Sequence, residues 1–157
     1  MLSFLYHLAQ RTFRKAMKPF CVPALMHFKP IKQFNERYSH VQLLGKGQFS
    51  VDLVRDVVVQ GDFAAKTVPI DEDGYYLREF EVLSVIRHPN IVNLYSCFKD
   101  KSFVVYLMEY VGDQSLQDLM TNERLDETSV KDLYRPLVDA VVYLHCDAQI
   151  YHGDIKV

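Results

Sequence analysis

The feature that most constrains the fold is a series of five short, β-rich segments with one helical pattern inserted after the third. β-Branched and aromatic residues dominate these segments, whereas glycine, proline and polar residues separate them, as is typical of strands and turns. A hairpin turn is expected at Gln60-Gly61-Asp62. The predicted strands are residues 41–44, 51–59, 63–68, 91–98 and 102–110.

Helical spacing of apolar residues predicts one helix between the third and fourth strands and two helices after the fifth. The first runs from Leu77 to Ile86 and ends before Pro89, because the residue that precedes a proline is pushed out of the helical region. A short helix fits residues 115–120, and a longer one with a broad apolar face fits residues 127–146. Strands with one interposed helix, followed by further helices, predict an α+β fold.

Residues 1–37 differ from the rest and are interpreted as an N-terminal extension. Residues 1–38 contain seven Lys or Arg and one acid, Glu36, which leaves eleven bases and nineteen acids for the remainder. A helix over residues 1–18 would carry its basic residues on one side and apolar residues on the other, which suits a membrane surface or a mitochondrial targeting peptide. The alternative is an extension that docks on the domain or stays disordered.

The charge distribution limits the classes of function that are expected, and the cysteines indicate the redox state of the compartment. The acidic body argues against non-specific nucleic-acid binding as the main activity. Cys21, Cys97 and Cys146 are scattered and fit neither a disulfide framework nor a metal cluster, so a reducing compartment is expected. No apolar run approaches the roughly 20 residues that a membrane span needs. We therefore expect a cytoplasmic protein, with mitochondrial or membrane-associated localisation through the basic helix as the alternative.

A glycine-containing turn is the first group of residues with chemical potential. The sequence Gly45-Lys46-Gly47-Gln48-Phe49-Ser50 lies between two predicted strands. Glycines at such a turn let backbone N–H groups approach phosphate oxygens that a side chain would block. A Gly-x-Gly sequence in a hairpin is more often only a tight turn, so this group alone does not indicate a site.

Two further groups supply charges. Lys66 ends an apolar strand, where a lysine normally points to solvent, but Glu79 of the next helix lies on the face that would meet it. Such a pair holds an ammonium group so that it can bind nucleotide phosphates. In His152-Gly153-Asp154-Ile155-Lys156, the Asp154 carboxylate can accept a hydroxyl proton, and Lys156 can neutralise a transferring phosphate.

In their order and spacing these groups resemble the protein kinase family, from about Tyr38 to the last residue. Lys156, two positions after Asp154, is the form typical of Ser/Thr kinases. Further matching segments are Arg78-Glu79-Phe80-Glu81-Val82-Leu83, His88-Pro89-Asn90-Ile91-Val92 and Leu107-Met108-Glu109-Tyr110-Val111. The resemblance implies a small lobe over residues 38–111, with five antiparallel strands and one helix, and the first helices of a large lobe over residues 112–157.

The resemblance also implies the roles of individual residues in binding ATP, with Mg²⁺ as the family's metal. Lys66 pairs with Glu79 and holds the phosphates, while Asp154 is the catalytic base and Lys156 stabilises the transferred group. The expected partners are ATP and a protein substrate or protein partner, without nucleic acid. Residues implied to contact the nucleotide are Gly45, Lys46, Gly47, Gln48, Phe49, Ser50, Val51, Ala64, Lys66, Met108, and the backbones of Glu109 and Val111.

The sequence departs from the family pattern in its C-terminal part. It ends at Val157, two residues before the asparagine that binds the second Mg²⁺ in the family, and it contains no D-F-G segment. We therefore expect these 157 residues to lack the Mg²⁺ ligands and to be inactive alone, as a fragment or isoform of a longer kinase. The alternatives are a truncated pseudokinase that serves as a regulatory or scaffold module, and a membrane-surface adaptor that acts through residues 1–18.

Two smaller departures concern the nucleotide site. By strict counting, Asp52 falls where the family has a valine that packs on adenine, and a one-residue deletion would instead place Val51 there. The interval from Lys66 to Glu79 is short for the family, which implies a clipped helix or loop.

Overall fold

A computed structural model describes residues 27–72, 74–112, 115–122, 126–152 and 155. The predicted basic helix over residues 1–18 lies outside the described residues, as do Asp154 and Lys156. In the part of the chain that is described, no helix is both long enough and apolar enough to cross a membrane.

One sheet of six strands organises the first part of the fold. The strand order across the sheet is β1-β5-β6-β4-β3-β2; β1 and β5 run parallel, and the other neighbours are antiparallel. The strands are β1 (Phe28–Pro30), β2 (Tyr38–Lys46), β3 (Ser50–Asp56), β4 (Asp62–Pro69), β5 (Leu94–Lys99) and β6 (Phe103–Glu109). The five predicted strands are present, but the sheet gains β1 from the N-terminal extension. Three residues are too few to show an alternating pattern, so no sequence pattern indicates this strand.

Four helices accompany the sheet among the described residues: α1 (Ile31–Arg37), α2 (Tyr75–Val85), α3 (Leu116–Asn122) and α4 (Glu127–Val142). The start of α4 is capped by Asp126, whose carboxylate accepts a hydrogen bond of 2.8 Å from the N–H of Ser129. The helix predicted to reach residue 146 changes after Val142 into a π-helical turn, Tyr143–Asp147. Strands and helices in this arrangement confirm the α+β fold class.

The sheet has two apolar faces, because successive side chains of a strand point to opposite sides. On the first, called the α1 face, a buried cluster is covered by residues of α1 and by flanking aromatic side chains. The ring of Phe34 in α1 lies 5.3 Å from the ring of Tyr38 and 5.3 Å from that of Phe98. The last ten residues of the extension therefore dock on the sheet. The cluster consists of Val54, Ala65, Phe98, Val105 and Leu107.

The turn between β3 and β4 begins earlier than the sequence predicted. The apolar run continues to Val59, yet β3 ends at Asp56. The Asp56 carboxylate accepts hydrogen bonds from the backbone N–H groups of Val58 and Val59, at 2.9 and 3.2 Å. A carboxylate that captures these donors folds the chain into a turn and overrides β propensity. The turn valines are consequently exposed, with Val58 at 74%.

The described residues divide into two compact units. The first comprises residues 27–85 and 92–111, and therefore contains the sheet with α1 and α2. The second comprises residues 86–91 and the chain from residue 112 onward. Within the second unit, the ring of His88 stacks on Tyr143 with centroids 4.9 Å apart, and the Tyr143 hydroxyl accepts a hydrogen bond of 3.2 Å from the N–H of Arg87.

Candidate functional site

A buried ion pair between Lys66 and Glu79 lies at the centre of the candidate site. The Lys66 Nζ atom is 2.6 Å from Oε1 and 2.7 Å from Oε2 of Glu79. Only 6% of the lysine side chain and 11% of the glutamate side chain are exposed. The pairing implied by the sequence is thus formed in spite of the short interval between the residues. An isolated ammonium group is costly to bury because it loses its hydration. The Glu79 carboxylate offsets this cost at the buried position of Lys66.

The orientation of Glu79 follows from the way α2 is anchored to the sheet. Tyr76, Glu79 and Phe80 are spaced by three and four residues, so they share one side of the helix. The buried hydroxyl of Tyr106 in β6 donates a hydrogen bond to the backbone carbonyl of Tyr76. Burial raises the pKa of Tyr106, so this phenol keeps its proton at neutral pH. Lys99 Nζ donates a second hydrogen bond, of 3.0 Å, to the Tyr76 hydroxyl.

The register of β3 on β4 settles which residue accompanies Lys66. Val51 lies directly opposite Lys66, whereas Asp52 lies opposite Ala65. Because directly opposite residues share a face, Val51 points to the side of Lys66 and Ala64, and Asp52 points to the α1 face. The register therefore places Val51, and not Asp52, on the side of the sheet that carries Lys66. We call the side that carries Val51, Ala64 and Lys66 the α2 face, because α2 reaches Lys66 on this side.

The loop between β2 and β3 extends over the lysine. The ring centroid of Phe49 lies 5.2 Å from Lys66 Nζ, a cation–π distance. The N–H of Gly47 donates a hydrogen bond of 3.1 Å to the carbonyl of Phe49, which closes the tip of the loop. A Cβ atom added to Gly45 or to Gly47 would meet no heavy atom within 4 Å. Packing thus does not require glycine at either position, and the open space beside the loop fits an approaching phosphate group. Lys46, the last residue of β2, and Gln48 of the loop are both exposed, and Ser50 begins β3.

Strand β6 contributes an apolar residue and a fixed backbone to the same region. Met108 is buried opposite Ala64, and so lies on the α2 face. The next residue, Glu109, is held from two sides: its N–H donates to the Asn93 carbonyl at 2.9 Å, and its carboxylate accepts from the Asn93 side-chain amide at 2.9 Å. Val111 follows, half exposed, after the strand has ended.

The role of Asn93 was not predicted, although asparagine next to a strand is a frequent hydrogen-bonding residue. In the first unit, the structure brings together the side chains of Val51, Ala64, Lys66, Glu79 and Met108, with Phe49 of the loop between β2 and β3 over Lys66. His152, which precedes the predicted catalytic residues, is buried in the second unit. Asp154 and Lys156 lie outside the described residues, so their predicted roles remain predictions.

Comparison with known proteins shows the family to which this sequence is similar. The protein kinase domain family matches residues 38–157. The chain is 39% identical over 121 residues to a Caenorhabditis elegans protein assigned as ribosomal protein S6 kinase alpha-2, covering 75% of this chain and 16% of that protein. It is 32% identical over 127 residues to CBL-interacting serine/threonine-protein kinase 12 of Arabidopsis thaliana, covering 76% of this chain and 26% of the relative.

A third relative is calcium-dependent protein kinase 4 of Plasmodium falciparum, 28% identical over 132 residues, which cover 78% of this chain and 25% of the relative. The chain thus spans 16% to 26% of the length of these relatives. The match extends over β2 to β6 and all later elements. On this match, and on the identity shared with kinases of that type, the chain belongs to the Ser/Thr protein kinase family.

Proposed function

We propose that these residues form the ATP-binding part of a Ser/Thr protein kinase, in which Lys66 holds the α- and β-phosphates. The observation that carries the proposal is the buried contact of 2.6 and 2.7 Å between Lys66 and Glu79. The carboxylate contacts the ammonium group from one side and so fixes its position. In this proposal the opposite side of the ammonium group binds an anion. The glycine loop beside it provides open space at the backbone, where phosphate oxygens can be bound by N–H groups.

The apolar residues of the α2 face suit an adenine ring. Val51, Ala64 and Met108 are buried neighbours on the same side as Lys66, so a flat apolar ring that packs on them would direct its phosphates toward the ammonium. In this proposal the backbone groups of Glu109 and Val111 bind the polar edge of adenine. The hydrogen bonds between Asn93 and Glu109 hold the first of these groups in place.

The proposed reaction transfers the γ-phosphoryl group of ATP to a hydroxyl of a protein substrate. Asp154 accepts the hydroxyl proton, and Lys156 neutralises charge on the transferred group, as the family resemblance implies. Mg²⁺, when bound, supplies the main neutralisation of phosphate charge in this reaction. No D-F-G sequence occurs among the 157 residues, so we propose that a polypeptide restricted to them binds ATP weakly and transfers no phosphate.

Affinity labelling of the whole chain tests the nucleotide site even when binding is weak. An acyl-phosphate derivative of ATP transfers its acyl group to a lysine amine that lies near the bound phosphates. Peptide mapping should find Lys66 acylated in preference to the exposed Lys131, in spite of the burial of Lys66, and excess ATP should suppress only the labelling of Lys66. Labelling of Lys66 that is no stronger than that of Lys131, or that ATP leaves unchanged, would contradict the proposal.

A regulatory or scaffold role without nucleotide binding is the second candidate function. The observation that favours it is a row of exposed apolar residues along α4, a helix whose apolar side would suit a protein partner. These residues are Val130, Leu133, Tyr134, Val138 and Val142. Affinity labelling separates the two functions, because ATP would not suppress the labelling of Lys66 in a scaffold that binds no nucleotide. Substitution of Val138 and Val142 by serine would impair only the scaffold function.

A further inference from the structure

We propose that Phe28, in the short strand β1, is a positioning residue that fixes α2 in the setting in which Glu79 reaches Lys66. Its consequence for ATP rests on the proposed function of the site. Its effect on the backbone of α2 does not, and can be measured separately. Phe28 also lies outside residues 38–157, which the kinase family matches, so the contact belongs to the extension of this chain.

Backbone pairing brings Phe28 to the helix. Phe28 lies opposite Cys97 of β5 in parallel register, and Cys97 lies opposite Tyr106 of β6. Since directly opposite residues share a face of the sheet, Phe28 points to the same side as Tyr106. That side is the α2 face, because the Tyr106 hydroxyl donates to the backbone carbonyl of Tyr76 in α2.

The ring of Phe28 packs on two aromatic residues of the helix. Its centroid is 4.6 Å from that of Phe80, with the ring planes at 36°, and 6.5 Å from that of Tyr76, at 62°. Lys99 Nζ lies 5.6 Å from the Phe28 centroid and 4.8 Å from the Tyr76 centroid. Distances of this size are typical of favourable aromatic and cation–π contacts. A strand of three residues thus contributes directly to the way α2 is seated.

The contacted residues flank the acid of the ion pair. Phe80 follows Glu79 directly, and Tyr76 lies about one turn before Glu79 on the same side of the helix. Any rotation or shift of α2 that releases these two rings from Phe28 also moves Glu79. The backbone of Lys66 is held in place, because β4 is paired with β3 on one side and with β6 on the other, so a shift of α2 changes the distance between Glu79 and the strand. Loss of the Phe28 ring should therefore weaken the ion pair while the sheet stays formed.

Phe34 offers a matched control in the same extension. It is also a partly buried phenylalanine, but it packs on Tyr38 and Phe98 on the opposite face of the sheet, away from α2. Truncation of either ring removes similar apolar surface from the extension. If the extension only adds general stability, Phe28→Ala and Phe34→Ala should behave alike. If Phe28 positions the helix, only Phe28→Ala should act selectively on α2.

The experiment is hydrogen-exchange mass spectrometry on the 157-residue chain and its variants, combined with affinity labelling of Lys66 by acyl-phosphate ATP. In Phe28→Ala, amides of residues 75–85 should exchange on the order of tenfold faster, while those of β3, β4 and β6 change little. Phe28→Leu, which keeps an apolar side chain, should restore most of the protection, and it carries the test if Phe28→Ala fails to fold. Phe34→Ala should leave the exchange of α2 relative to the sheet unchanged. ATP-protected labelling of Lys66 should fall in Phe28→Ala alone.

Three outcomes would overturn the inference: unchanged exchange of α2 in Phe28→Ala, an equal effect of Phe34→Ala, or faster exchange spread evenly over the sheet. A failure of the proposed function has a different signature. In that case Lys66 of the unsubstituted chain would show no ATP-protected labelling, while the selective effect of Phe28→Ala on the exchange of α2 would still support its positioning role.

Discussion

Arg37 and Asp56 form an ion pair that ties the end of α1 to the turn between β3 and β4. The Nε atom of Arg37 donates to Oδ2 of Asp56 at 2.7 Å, and the aspartate side chain is almost wholly buried. Burial by itself would raise the pKa of Asp56, but the hydrogen bonds from Val58, Arg37 and Val59 outweigh it and hold that pKa below its ordinary value. The carboxylate thus remains charged in the folded protein at a pH at which it would begin to protonate in the unfolded chain.

This pair predicts a specific loss of stability in acid. Because the pKa of Asp56 is lower in the folded state, its contribution is fully present above the unfolded value of about 3.9 and disappears as the pH falls through the folded value. Asp56→Asn should therefore be less stable than the unsubstituted chain at pH 7, and the difference should shrink below about pH 4. Urea unfolding at several pH values measures this convergence. A difference in the free energy of unfolding that stays constant from pH 7 to pH 3 would contradict this prediction. At pH 7, the stability of Arg37→Gln should lie between those of the unsubstituted chain and Asp56→Asn.

The burial of Lys66 and Glu79 predicts strong coupling between them. Lys66→Met leaves a buried carboxylate without its partner, so the free energy of unfolding should fall by about 3–5 kcal/mol. The double substitution Lys66→Met with Glu79→Met should recover most of this loss, because an apolar pair needs no compensating charge. A urea-unfolding double-mutant cycle measures the coupling.

The pair between Lys131 and Glu127 is the control for that cycle, since its N–O distance is also 2.6 Å but its side chains are 68% and 83% exposed. Lys131→Met should change the free energy of unfolding by only about 0–1 kcal/mol. Equal effects of Lys66→Met and Lys131→Met would show that burial does not set the strength of the central pair.

Two cysteines should differ sharply in their reactivity. Burial raises the pKa of the Cys97 thiol to about 12, and the residue lies between Phe28 and Tyr106 in the sheet. Cys146 is exposed in the second unit. Iodoacetamide at pH 8 should therefore alkylate Cys146 rapidly and Cys97 only after denaturation, because the thiolate is the reactive form. Peptide mapping over a time course checks this order. Rapid alkylation of Cys97 without denaturant would show that the folded sheet does not protect this thiol.

The sequence predicted the parts of the fold that have long periodic patterns. The strand around Lys66 and the helix around Glu79 were placed close to their observed bounds, and the two residues meet although the interval between them is short for the family. The prediction was wrong where a single hydrogen-bonding side chain or a very short strand decides the structure. Asp56 ends its strand early by binding two backbone N–H groups, and Phe28 joins the sheet in a strand of three residues.

Two further features of the candidate site were also beyond sequence reasoning. The choice between Val51 and Asp52 depends on the pairing register, because a shift of one residue exchanges the two faces of a strand. The role of Asn93 depends on its meeting Glu109 across a gap of sixteen residues, which no local pattern reveals. Long-range pairing decides both, and propensity and periodicity describe only local preference.

The last prediction concerns catalysis by a polypeptide made of these 157 residues. Phosphoryl transfer depends mainly on positioning and on charge neutralisation by metal ions, and none of the residues after Asp154 supplies a D-F-G aspartate. We expect no transfer of ³²P from γ-labelled ATP to a Ser/Thr peptide by this polypeptide. A longer polypeptide that adds the family's metal-binding segment should transfer phosphate and should lose that activity on Asp154→Ala. Transfer by the 157-residue polypeptide that is abolished by Asp154→Ala would contradict the expectation, because the metal would then be held without those groups.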